Sequence, residues 1–129
     1  MFNGVGSLIG ANLPERWSLE NPPQVELIWQ AGDSAASTAY TVFVQLLDAE
    51  GRVIAQSDSQ PSSGARPTTG WRQDEIIRDL HTLQYNEFAV PGSAILIAGF
   101  YDPLTGERVQ LADGSDFAAI LGDVSIQPS

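Results

Sequence analysis

The residues with the most chemical potential fall in three places. Trp71 is flanked by Arg66 and Arg72 and followed by Arg78. An aromatic face stacks on sugar rings and guanidinium groups supply donors, so these four residues read as a ligand platform. The ordinary alternative is a tryptophan that pins its loop to the body of the fold, as long loops often carry such anchors. A second place is Asp113-Gly114-Ser115-Asp116, an acidic turn. With Asp102 or Glu107 it offers the kind of oxygens that Ca²⁺ takes, although it does not match an EF-hand loop. The third set is the carboxylates Glu75 and Asp79, with Asp102 and Glu107 as a further pair. A polysaccharide hydrolase would need two of them about 5–9 Å apart across a cleft. No motif singles them out, and solvated or ion-paired acids are their ordinary state.

Other catalytic sets are missing from the sequence. His81 is the single histidine and there is no cysteine, so the usual zinc sets cannot assemble. A triad of His81 with Ser and Asp lacks the G-x-S-x-G elbow, and His81 reads as a polar residue on a strand. There is no phosphate-binding P-loop and no G-x-G-x-x-G turn. The expected function is therefore non-catalytic, with no cofactor required beyond the Ca²⁺ alternative.

Charge narrows the partners. Sixteen acidic and six basic residues give a formal net charge of −10, and every basic residue is arginine. A field of that sign disfavours nucleic acid and anionic membrane surfaces. No apolar run approaches the ~20 residues of a membrane helix, and MFNGVGSLIGANL lacks the basic start and long apolar centre of a signal peptide. A soluble domain is expected, either a whole protein or part of a longer one. The length of 129 residues suits a single domain, residues 1–129.

The elements that must position these residues are strands. Twelve glycines and eight prolines interrupt every window long enough for a helix. Val5 to Leu13 is apolar but glycine-rich and reads as an edge strand. In Gln24 to Ala31, Val25, Leu27, Trp29 and Ala31 share one face while Gln24, Glu26 and Gln30 share the other. Tyr40 to Leu47 is apolar on both faces, which places it centrally. It returns through Asp48-Ala49-Glu50-Gly51 into Arg52 to Asp58 as a hairpin. Leu96 to Leu111 has the same grammar, with Asp102-Pro103-Leu104-Thr105-Gly106 as its turn and Glu107 to Leu111 as its return strand. Glu75 to Leu83 and Ile120 to Gln127 complete the set. In the first of these, Glu75, Ile77 and Asp79 share a face, with Arg78 opposite.

Trp29 belongs to the core by its alternation. Trp17, after Arg16, either plugs an end of the fold or lies exposed. Ser59 to Asp74 is a long loop, and loops of this length often carry function. The pattern is all-β: an Ig-like or fibronectin-III-like antiparallel β-sandwich of about seven to nine strands.

The order Tyr40-Thr41-Val42-Phe43-Val44-Gln45-Leu46-Leu47-Asp48, Gly51-Arg52, Gln56-Ser57-Asp58, Pro61, Pro67-Thr68, Trp71, Glu75 with Asp79, Pro91-Gly92, Tyr101-Asp102-Pro103 and Thr105-Gly106-Glu107-Arg108 carries a resemblance. Over roughly residues 5 to 127 it resembles an Ig-like β-sandwich domain of bacterial extracytoplasmic proteins. Such domains are often appended to multispanning membrane proteins of the dolichyl-phosphate-mannose-type glycosyltransferase class. The resemblance implies an accessory domain on the extracytoplasmic side, tethered to a membrane-spanning parent, with glycan or protein contacts and no catalytic residues. Three positions depart from the pattern: Arg72-Gln73-Asp74 where a Pro-Gly turn is usual, Gln45 where histidine is common, and Ser93-Ala94 where a tyrosine often follows.

Overall fold

The computed structural model describes residues 1–128, and among them nine strands form two sheets. The smaller sheet has the order β1 (Gly6–Asn12), β3 (Gln24–Ala31), β6 (Ile76–Thr82). The larger runs β2 (Trp17–Ser18), β9 (Ala119–Gln127), β8 (Gly92–Tyr101), β4 (Thr41–Leu47), β5 (Val53–Ser59), β7 (Gln84–Tyr85). All pairings between named strands are antiparallel except the short parallel contact of β2 with β9. The all-β sandwich expected from the spacing of turns is the observed architecture.

Alternation sets which residues fill the space between the sheets. Val25, Leu27, Trp29 and Ala31 of β3 are all buried, opposite Val42, Val44 and Leu46 of β4 and Ala94, Leu96, Ala98 and Phe100 of β8. At one end the rings of Phe2, Trp29 and Phe100 meet, with Phe2 edge-on to both others and Trp29 4.5 Å from Phe100 between centroids. Edge-on and offset contacts of this kind add to simple burial because ring edges and faces carry opposite partial charge.

The β4–β5 hairpin turns as its residues dictate. Asp48 Oδ1 accepts the amides of Glu50 (3.0 Å) and Arg52 (2.9 Å), and Gly51 takes φ +79°. Its counterpart differs from expectation. Glu107 to Leu111 forms no named strand: its ladder contacts are the isolated bridges Tyr101 to Arg108 and Leu111 to Phe2. β4 pairs β8 from Ile95 to Tyr101 and β9 pairs it from Gly92 to Ala98, so only the last residues of β8 are open to the returning chain, where the Val109 amide donates to the Phe100 carbonyl at 2.8 Å.

Residues 102–118 instead cover the outer face of the larger sheet. Phe43, Ile97 and Ala118 form a second small core there, with Leu47 and Tyr101 packed against it. Arg108 lies over the Phe43 ring, 4.1 Å from its centroid. Gly99 lies beneath: a Cβ there would sit 2.7 Å from the ring, so only glycine admits the contact.

Candidate functional site

The segment from Gln60 to Glu75 contains two short 3₁₀ turns, Pro61–Gly64 and Thr68–Gly70, and is tied down along its length. Thr68 is fully buried; its hydroxyl donates to the Thr38 carbonyl (2.7 Å) and accepts the Tyr40 amide (3.0 Å). Trp71 is 3% exposed. Its indole Nε1 donates to the Arg66 carbonyl at 2.8 Å, and its ring meets Phe100 edge-on at 6.1 Å. Arg66 Nη2 reaches both carboxylate oxygens of Glu75, 2.6 Å from Oε2, while the Arg72 amide donates to Oε1 at 2.9 Å.

The sugar platform expected at Trp71 is therefore corrected. The indole is a buried anchor, and no face of it is open for stacking. Nor do the arginines converge. Arg66 is held by Glu75, Arg72 is exposed, and Arg78 lies on the outer face of the smaller sheet, 3.2 Å from Glu26. Alternation along β6 had already placed Arg78 opposite Ile77 and Asp79.

Inside the sandwich the structure assembles a polar chain that the sequence did not announce. Asp79 and His81 point inward from β6 and are buried. Asp79 Oδ2 accepts Trp29 Nε1 (3.1 Å) and His81 Nε2 (2.7 Å); Oδ1 accepts the Ser62 amide (2.8 Å). His81 Nδ1 meets the Ser57 hydroxyl at 2.9 Å and that of Ser59 at 3.5 Å. The order Ser57–His81–Asp79 is that of a nucleophilic relay. Here it bridges β3 and β6 of one sheet to β5 of the other and to the first 3₁₀ turn, so each buried donor and acceptor finds a partner. The only advance signal was the i, i+2 spacing that set Asp79 and His81 on the same face as Ile77.

The acidic turns are also engaged locally. Asp113 Oδ1 accepts both the amide (2.9 Å) and the hydroxyl (2.6 Å) of Ser115, which hold its carboxyl below the usual range. Asp116 Oδ1 accepts the Phe117 amide, and Asp102 Oδ1 that of Leu104. Among the described residues no group of three or more His, Cys, Asp or Glu side chains is placed to hold a metal. Asp113 and Asp116 act as turn caps, not as the converging ligands Ca²⁺ requires.

Glu75 and Asp79 do not face one another across a groove. The first is bound by the Arg66 side chain and the second lies in the interior. A cavity of about 410 Å³ does carry two acids, Asp48 and Asp123. Asp48 is committed to its turn: the Arg52 backbone amide foremost, with the Arg52 guanidinium and the Glu50 amide, holds its carboxyl below the ordinary value.

A further open feature lies elsewhere. A cleft of about 690 Å³ opens at the end of the smaller sheet. Its floor is Asn12, Gln24, Glu26 and Leu80; its wall is the β1–β2 and β2–β3 connections, with Leu13, Arg16 and Pro23. Arg16 also lines a neighbouring cavity of about 630 Å³ with Ser18, Gln127 and Pro128. Trp17, 6% exposed, plugs the sandwich end beside it, settling the two alternatives for that residue.

The cleft continues onto the outer face of the smaller sheet. There Ile76 and Leu80 are 50% and 52% exposed, with Ile28 half-buried between the strands. No helix among the described residues is long and apolar enough to cross a membrane. Comparison with family models, with curated proteins and with solved structures returned no match to this chain.

Proposed function

We propose that this chain is a non-catalytic accessory domain that binds a protein segment on the outer face of its smaller sheet. The observation that carries the reading is the pairing of Ile76 and Leu80, each about half exposed on one face, with a cleft that begins at Leu80. Apolar side chains grouped on a sheet face beside a polar-rimmed cleft are the usual makings of a docking surface. The Glu26–Arg78 ion pair lies between them and supplies a polar element of that rim. A protein partner is favoured over a glycan because the indoles of Trp17, Trp29 and Trp71 are all buried, leaving no tryptophan face for a sugar to stack on.

The resemblance to domains of extracytoplasmic proteins supports a position outside the membrane, on a chain tethered by its membrane-spanning part. The reading is tested by panning the domain against a phage-displayed random peptide library. Enriched peptides should share a pattern and lose binding to an Ile76→Asp/Leu80→Asp variant whose circular dichroism is unchanged. No enrichment, or binding indifferent to the variant, would overturn it.

A further inference from the structure

We propose that the cleft beside Arg16 binds a peptide through a carboxylate, with Arg16 as the anion-recognising residue. The inference rests on the binding-domain reading above and goes on to name the ligand's chemistry. It starts from how the six arginines are used. Arg52 is committed to Asp48, Arg66 to Glu75 and Arg78 to Glu26, while Arg108 lies over Phe43 and reaches Gln45. Among the described residues, the side chains of Arg16 and Arg72 have no hydrogen-bonded or ion-paired acceptor. Of these two, Arg16 lines cavities, one on either side. In a chain with ten more negative than positive charges, a guanidinium beside an open cleft with no carboxylate partner among the described residues is an unspent recognition group. Its planar fork matches a carboxylate in two-point geometry.

The surroundings fix the rest of the ligand. Glu26, the one acid in the cleft, is already compensated by Asn12 Nδ2 (2.7 Å) and Arg78 Nη1 (3.2 Å), so it opposes an incoming anion weakly. The overall charge still repels small anions. A bare carboxylate would hold poorly, and apolar contact with the exposed Leu13, Pro22 and Leu80 must supply the remaining attraction. The Gln24 side-chain amide on the floor suits a peptide backbone, which offers both donors and acceptors. A carboxylate on an apolar peptide body meets each of these demands. It can come from a chain end or from an acidic side chain.

The test uses one short Pro/Leu/Ala peptide in three forms: free C-terminus, C-terminal amide, and amide with one internal Asp. Each is titrated into the ¹⁵N-labelled domain. The free-acid form, the Asp form or both should shift the amides of Leu13 to Gln24, and which of them does so identifies the source of the carboxylate. The neutral amide should bind about tenfold more weakly, as expected for losing a charged hydrogen bond. Arg16→Gln should bring the acid forms down to the level of the neutral peptide and leave that peptide unchanged. Arg72→Gln, the control at an arginine exposed like Arg16 but outside the cleft, should alter nothing.

Equal binding of all three forms, or an Arg16→Gln domain that still prefers the acid, overturns the carboxylate proposal while peptide binding itself stands. Absence of shifts from every form at millimolar concentration overturns the proposal too. The reading of the sheet face is then decided separately by the library selection and its Ile76/Leu80 variant.

Discussion

Two connections in this fold carry an arginine and a tryptophan close together, and they put them to opposite use. In the segment from Gln60 to Glu75, Trp71 is buried, its indole N–H is met by the Arg66 carbonyl, and the Arg66 side chain is met by Glu75. In the segment from Leu13 to Pro23, Trp17 is buried as well, but Arg16 lines open cavities. What separates them is the acid. Glu75 folds back onto Arg66, whereas Glu15 and Glu20 make no ion pair with Arg16. A long loop with aromatic and basic residues is thus no guide to a site until its internal partners are counted. The longer, more conspicuous loop is framework, and the shorter proline-rich one is open to a ligand.

The sharpest way to break this comparison is Trp71→Ala. If the Gln60–Glu75 segment is framework, removing the indole should cost about 4 kcal/mol, as for other buried large aromatics. Urea denaturation followed by circular dichroism would measure it. A loss below about 1 kcal/mol, the scale of an exposed side chain, would return Trp71 to the role of surface platform.

Asp79→Asn comes next. One carboxylate serves Trp29, His81 and the Ser62 amide, so it fastens both the sheet-to-sheet bridge and the start of the same segment. An amide cannot accept at both positions without turning a donor toward one of these groups. Leaving buried hydrogen-bonding groups unpaired or opposed in this way costs about 3 kcal/mol. Hydrogen exchange should speed at Ser62 and along β6 while the Arg16 cleft keeps its native amide shifts.

Thr68→Ala should be milder, about 1–2 kcal/mol, since it orphans the Thr38 carbonyl and the Tyr40 amide but leaves no charge unpaired. Retained stability in that variant would mean that the segment's backbone, not its side chains, holds it.

How much of this was readable beforehand follows from what a period can carry. Strict alternation in Gln24 to Ala31 marked the correct inward face because one face of that strand meets the core, and apolar residues on both faces of Tyr40 to Leu47 marked its place inside the larger sheet. Asp48 and Gly51 marked the hairpin because that turn is closed by its own side chain and a positive φ. Pairing partners were not legible. Glu107 to Leu111 has strand-like residues, but the choice between it and Ile120 to Gln127 as the neighbour of β8 is made by competition for one sheet edge. Two-residue strands such as Trp17–Ser18 and Gln84–Tyr85 are too short to show any period. Trp71 stood between platform and anchor for a related reason: its polar neighbours fit either, and the choice is made by a backbone carbonyl five residues away that satisfies its one polar atom. The meeting of Ser57 with His81 needs β5 and β6 to approach from different sheets, which no local pattern encodes. Arg16 is the reverse case, visible in the sequence but distinguished only by what fails to reach it.

The smallest expected effect separates the two arginines by pH. Glu75 has its carboxyl held below the usual value, foremost by the Arg72 backbone amide, with the Arg66 side chain adding to it against the opposing effect of burial. A carboxyl whose folded-state pKa is depressed contributes stability that is fully present above its unfolded value. That contribution fades as pH falls through the lower, folded one. Glu75→Gln should therefore lower the melting temperature slightly at neutral pH, and the gap from the parent should close in strong acid. Arg16→Gln has no carboxyl partner among the described residues to lose, so its stability should stay within about 0.5 kcal/mol of the parent, with the same offset at every pH. If the Arg16 variant instead showed an acid-dependent gap like that of Glu75→Gln, Arg16 would be engaged by an acid within the chain. The two connections would then be alike, and the guanidinium would not be free to take a ligand's carboxylate.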